Sequence, residues 1–177
     1  MSKVMKIGEG FTLIQNLILG AVILVIALSA FIIFDPIAQV QKANDTKSKN
    51  DLSLIQKVLD KYYKDFGKYP QNPGNCPSAD YRIVGLDANN QIVDWGASFS
   101  PYTSLLPKDP NPTKKYVYFV SCDGQKYYLY ASLDRGGKDK DSCNMGNACS
   151  SISLNNIDKT ACGGICNYGV SSDNVTP

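Results

Sequence analysis

Positions 11–34 are apolar except for Thr12, Gln15, Asn16 and Ser29, and none of them is charged. Wound as a helix at 1.5 Å per residue, this run reaches about 36 Å. A bilayer core is about 30 Å thick, so the run predicts a membrane-spanning helix. Lys3 and Lys6 precede it, and the positive-inside bias then places the N-terminus in the cytoplasm. A cleaved secretory signal has an apolar region of roughly 7 to 15 residues and a small-residue cleavage site. The run is longer than that, and no Ala-x-Ala pattern precedes Asp35. An uncleaved signal anchor is the plainer alternative.

Asp35-Pro36 interrupts the helical pattern, and a proline there removes one backbone hydrogen bond and bends the axis. After a polar stretch over 42–50, Leu52, Ile55, Val58, Leu59, Tyr62, Tyr63 and Phe66 recur at intervals of three and four, the signature of one apolar helix face. Lys57, Asp60, Lys61, Lys64 and Asp65 occupy the other face, with mixed signs that predict a solvated surface. Gly67 supplies a C-terminal cap.

Beyond Pro70 the pattern changes to short apolar runs, turn residues and cysteines. Segments 116–121 and 126–133, rich in aromatic and β-branched residues, flank Asp123-Gly124 and predict an antiparallel hairpin. Segments 81–84 and 91–93, around Asn89-Asn90, predict a second one. The prolines of 95–112 favour an extended connection. The strand over 130–133 is expected to be central and to press on the 52–66 helix face, with three or four strands in all. The tail over 168–177 is expected to be mobile unless Cys166 anchors it.

The junction Gly10-Phe11-Thr12-Leu13-Ile14, set between a basic leader and a long apolar run, resembles the prepilin-peptidase site of type IV pilins and type II secretion pseudopilins. The resemblance extends through 62–70, which looks like the helix end of those proteins, and to Leu105-Leu106-Pro107-Lys108-Asp109-Pro110, which is similar to the link before their sheet. It implies cleavage between Gly10 and Phe11 by prepilin peptidase, N-methylation of Phe11, and assembly into a helical filament through Phe11, Gln15 and Pro36. It also implies partners: copies of the chain or related pilins, and an inner-membrane assembly platform driven by a cytoplasmic ATPase. The implied localisation is the inner membrane for the precursor and a cell-surface or periplasmic filament after assembly. Most members carry a glutamate, held to pair with a neighbour's terminal amine, where this chain has Gln15. An amide supplies a hydrogen bond but no charge, which points toward a minor subunit unless the amide suffices or a partner supplies the charge.

The organisation expected is a leader over 1–10, an apolar helix over 11–34, its amphipathic continuation over 35–66 and a β-rich head over 67–177. The fold class expected is α+β: a long membrane-spanning N-terminal helix whose C-terminal half packs on a small antiparallel sheet.

Composition narrows the chemistry. Cys76, Cys122, Cys143, Cys149, Cys162 and Cys166 all fall in the exported part, where an oxidising exterior allows disulfides. Six cysteines permit 15 pairings. The favoured set is Cys143 with Cys149, Cys162 with Cys166, and Cys76 with Cys122. A zinc site competes less well, because the 143–149 spacing is too long and the chain has no histidine. By the same resemblance, the loop over 134–141 corresponds to one that often binds calcium in the major pseudopilins of type II secretion. Asp134, Asp139 and Asp141 could supply oxygen ligands, but Arg135, Lys138 and Lys140 lie among them, and a solvated turn is favoured over a calcium cofactor. Absence of histidine removes the usual general base, and the only glutamate is Glu9, in the leader, so enzymatic activity is not expected. From Gly67 onward basic and acidic residues balance one for one, leaving Lys114-Lys115 as the only local basic group for nucleic acid. A DNA-uptake or adhesive minor pilin is therefore an alternative, as is an anchored surface protein that never polymerises.

Overall fold

The computed structural model describes residues 12–71, 76, 81–84 and 91–177, the side chains of 30–34 and 84 excepted. The chain divides into two compact units, Met1–Val40 and Gln41–Pro177.

The expected membrane-spanning spine is corrected by the structure: no helix among the described residues is long and apolar enough to cross a membrane. Two helices stand where one bent rod was expected, α1 over Leu13–Phe34 and α2 over Pro36–Phe66. Asp35-Pro36 is the cause. A proline ring disfavours helical geometry in the residue before it, and Asp35 takes the left-handed conformation (φ 34°, ψ 70°) that ends α1. Pro36 then opens α2 at the position where a missing N–H costs least, and Asp35 Oδ1 accepts the Ala38 N–H at 3.2 Å. The longer helix, α2, carries Lys42, Asp45, Lys47, Lys49 and Asp51.

In the second unit, Leu52, Ile55, Val58, Leu59 and Tyr62 of α2 are buried as their spacing predicts, while Phe66 at the helix end is 50% exposed. Gly67 takes φ 66°, a conformation only glycine adopts without strain, and its N–H donates to the Tyr63 carbonyl at 2.8 Å. Strands β1 (Ile83–Val84) and β2 (Ile92–Val93) form a separate antiparallel pair; the expected Asn89-Asn90 turn lies outside the described residues. Strands β3 (Val117–Val120) and β4 (Tyr127–Ala131) form the main hairpin. Asp123 Oδ1 accepts the Gln125 N–H at 2.9 Å in its turn.

The tail is not loose. Residues Tyr168–Ser171 form a strand, β5, paired antiparallel with β4, so β4 is the centre of a three-stranded sheet in the order β3-β4-β5. Gly169 permits this pairing, since a Cβ there would lie 2.9 Å from the Tyr130 ring and 3.2 Å from the Leu129 carbonyl.

Strand alternation gives the sheet two buried faces. Tyr118, Val120, Tyr127, Leu129 and Ala131 pack with the α2 stripe in one cluster. Val117 and Tyr130 point the other way, onto Cys149, Ile152, Ile157, Cys162 and Cys166 of the C-terminal loops, where Ser150–Leu154 forms the short helix α3. The disulfides hold that cover in place. They join Cys76 to Cys122, Cys143 to Cys149 and Cys162 to Cys166, the pairing favoured from the sequence.

Candidate assembly helix and head-domain sites

Helix α1 begins with a reciprocal cap. The Thr12 N–H donates to Gln15 Oε1 at 2.9 Å, and the Gln15 N–H donates to Thr12 Oγ1 at 3.4 Å, which together satisfy two of the donors that a helix N-terminus leaves open. Gln15, expected as an assembly contact, therefore has its carbonyl oxygen engaged at home. Gly10 and Phe11, the expected processing and methylation residues, lie outside the described residues. Pro36, the third expected assembly residue, is the first residue of α2.

Among its described side chains α1 carries no charge, and Gln15, Asn16 and Ser29 are its only polar ones. Leu13 is 80% exposed, Ile14 69% and Leu17 67%, and Val22 is still 50% exposed. The one hydroxyl near its far end, Ser29, donates to the Val25 carbonyl at 2.7 Å and so makes no demand on a neighbour. A helix without a polar face is built to be covered, and each large aliphatic side chain gains roughly 1.5–3 kcal/mol when fully buried.

The loop over 134–141 works differently from a calcium loop. Lys49 of α2 donates to Asp139 Oδ1 at 2.6 Å and to Asp141 Oδ2 at 3.0 Å, while Lys114 donates to Asp134 Oδ1 at 2.5 Å. The three candidate carboxylates are thus shared between two ammonium groups, and among the described residues no group of three metal-ligating side chains gathers. Burial alone would lower the Lys49 pKa, but the hydrogen bonds and charges of Asp139 and Asp141 outweigh it and hold the ammonium above its usual value. Burial likewise pushes the Asp139 carboxyl up, yet the Lys49 hydrogen bond, the Asp141 N–H and the charges of Lys49 and Lys140 bring it below the usual carboxylate range. The loop is also tied from its start, where Asp45, buried on α2, accepts the N–H groups of Asp134 at 2.7 Å and Arg135 at 2.9 Å. One turn and a half further along, Asp51 Oδ2 accepts the buried Tyr116 hydroxyl at 2.7 Å and the Lys47 ammonium at 2.5 Å.

Lys114 and Lys115, the basic pair weighed for nucleic acid, are not equivalent. The Lys114 ammonium is held by Asp134 and by the Ser132 carbonyl at 2.8 Å, and only Lys115 faces solvent. Asp45 and Lys49 were not singled out from the sequence. Asp45 had a signal, because it and Ser48 continue the spacing of Leu52, Ile55 and Leu59 one turn upstream and both are buried, whereas nothing in the pattern marked Lys49.

Comparison with protein-family models, with curated proteins and with solved structures gave no match to this chain.

Proposed function

We propose that the chain is a structural subunit of a type IV pilus or pseudopilus filament, cut by prepilin peptidase between Gly10 and Phe11 and assembled through α1. The observation that carries this reading is the uncovered, uncharged flank of α1, whose leucines and isoleucines need partner helices. Packing against the same helix of neighbouring subunits removes that surface from polar surroundings, and the work of assembly comes from an inner-membrane platform with its cytoplasmic ATPase. The Thr12–Gln15 cap supports the reading as well, since it starts the helix immediately after the proposed cut and lets α1 keep its first turn once the leader is gone. The head, braced by three disulfides, is suited to an oxidising exterior.

Intact-mass and N-terminal peptide analysis of the mature protein tests the processing step. The expected terminus is Phe11 carrying one added methyl group; a terminus at Met1, or a cut near Asp35, overturns the proposal. Assembly is tested by Leu17→Arg, which places a charge on the α1 flank. It is expected to abolish incorporation into filaments while leaving the thermal unfolding of the head unchanged.

A further inference from the structure

Three Asn-x-Thr triplets occur in the chain, opening at Asn44, Asn111 and Asn174. Such a triplet accepts an N-linked glycan when its middle residue is not proline and it lies on a surface loop of an exported protein. The structure sorts the three.

Asn44-Asp45-Thr46 lies inside α2. Side chains two apart on a helix do not face each other, so this amide and this hydroxyl are not presented together. Asp45 between them is buried and accepts the N–H groups of Asp134 and Arg135, while the Thr46 hydroxyl donates to the Lys42 carbonyl at 2.8 Å. Asn111-Pro112-Thr113 contains the excluded proline. Its Asn111 Oδ1 accepts both the Thr113 N–H at 3.0 Å and the Thr113 hydroxyl at 2.8 Å.

Asn174-Val175-Thr176 differs in position and in exposure. It follows β5 and leaves the sheet through a turn that the Val175 N–H closes on the Ser172 carbonyl at 3.1 Å. The Ser171 hydroxyl donates to the Val175 carbonyl at 2.6 Å and ties that turn to the end of β5. Asn174 and Thr176 are both exposed. The two ends of the Asn174 amide are held unequally. Its oxygen accepts the hydroxyl of the buried Ser172 at 2.7 Å, whereas its nitrogen reaches only the Gln125 carbonyl, at 3.4 Å. That second contact is longer than an ordinary N–H···O bond. The oxygen is thus anchored, and Nδ2, the atom to which an N-linked sugar is joined, is weakly held at the surface.

We propose that Asn174 is the acceptor of an N-linked oligosaccharide, transferred to the exported head from a polyprenyl diphosphate carrier by a membrane oligosaccharyltransferase. Asn174 Nδ2 bonds to the anomeric carbon of the first sugar, and the bond from that carbon to the diphosphate oxygen breaks. The carrier leaves with that electron pair, and the amide gives one proton to a carboxylate of the transferase. The inference needs an exported head, for which the three disulfides argue, and does not need α1 to assemble.

Peptide mass spectrometry of the full chain, purified from the cells that make it, tests the site. Trypsin cuts after Lys159, so after reduction Asn174 lies in the peptide over 160–177, away from Asn44 and Asn111. This peptide is expected to carry an added sugar mass that electron-transfer fragmentation places on Asn174, with Asn44 and Asn111 unmodified. Asn174→Gln and Thr176→Ala should each lose the added mass completely, and Thr176→Ser should keep it. All three should retain the wild-type circular dichroism, because the replaced side chains are exposed. An unmodified Asn174 in the exported chain, sugar retained in Thr176→Ala, or sugar carried instead by Asn44 or by a serine or threonine overturns the proposal. Filaments built from chains with a bare Asn174 would end this inference and leave the filament reading standing, whereas a glycosylated Asn174 on a chain that still begins at Met1 would do the reverse.

Discussion

Removing the disulfides one at a time should cost most at the bridge that closes the longest stretch of chain, although its two cysteines are the exposed ones. Cys76–Cys122 spans a sequence separation of 46, Cys143–Cys149 one of 6 and Cys162–Cys166 one of 4. Loop-closure entropy then assigns the first about 4 kcal/mol and each of the others about 2 kcal/mol. Packing works in the opposite direction. Cys162 and Cys166 are fully buried beneath the sheet, and replacing them by alanine adds about 1 kcal/mol of lost contacts; Cys149 is buried with them and adds less, its partner Cys143 being only half-buried, whereas Cys76 and Cys122 are exposed and add nothing. The expected costs are therefore about 4, 3 and 2 kcal/mol for the 76–122, 162–166 and 143–149 pairs. At about 3 °C per kcal/mol for a unit of this size, double Cys→Ala variants should lose about 12, 9 and 6 °C in thermal unfolding followed by circular dichroism or calorimetry. If the 76–122 variant loses less than the 143–149 variant, chain entropy does not govern these cross-links and the reasoning is refuted.

Lys49→Met, which keeps the stem and removes the ammonium, should cost about 1–2 kcal/mol at neutral pH, because two partly exposed charge-assisted bonds are lost. Asp139 sits below its ordinary value of 3.8, so its share of that stability is present above that value and fades as pH falls through the depressed folded one; Lys49 sits above 10.5, so its share is present below 10.5 and fades as pH rises through the raised one. The gap in melting temperature between wild type and variant should be widest between those limits and close in acid; a gap independent of pH would refute the ion-pair account. Asp109 is shifted the other way, chiefly by burial, so its ionisation costs stability as pH rises through the folded value. Asp109→Asn should accordingly be more stable than wild type at neutral pH and lose that advantage below the ordinary carboxylate range, and an advantage that persists in acid would contradict it. Gln15→Glu keeps the reciprocal cap and adds a negative charge to the first turn of α1, which favours the helix. Filament incorporation should rise; an unchanged yield would show that charge at this position is not limiting.

How far these features could be read in advance depended on which property carried the signal. Apolar spacing announced the buried stripe from Leu52 to Tyr62, and Asp123-Gly124 between two aromatic runs announced the main hairpin. Both signals are local, and the packed structure had only to agree with them. Strand β5 had no such signal. Tyr168-Gly169-Val170-Ser171 is short, contains a glycine and is half-buried throughout, and it becomes a strand because β4 offers an unpaired edge and because Gly169 lets the backbone come close to Tyr130. Non-local pairing of that kind leaves little trace in composition. The break at Asp35 was visible as a proline, but whether Pro36 bends one helix or starts another turns on the backbone of the residue before it, which takes the left-handed conformation.

Polarity itself concealed the rest. Asp45, Ser48 and Asp51 fall on the same face of α2 as Leu52 and Ile55 and are buried with them, yet a reading that takes charge as a mark of exposure assigns them to solvent. The chain that leaves β4 explains their burial: it turns away from the sheet at Asp134, where its N–H groups lose the ladder and need acceptors, and Asp45 supplies both. Lys49 then meets the carboxylates that the loop carries over 134–141, so a sequence pattern suggestive of a cation site contains its own cation. The same reasoning separates Asp109 from these residues. Asp45, Asp51 and Asp139 each find donors, whereas the buried Asp109 Oδ2 has none among the described residues, in keeping with the upward shift that burial gives its carboxyl group.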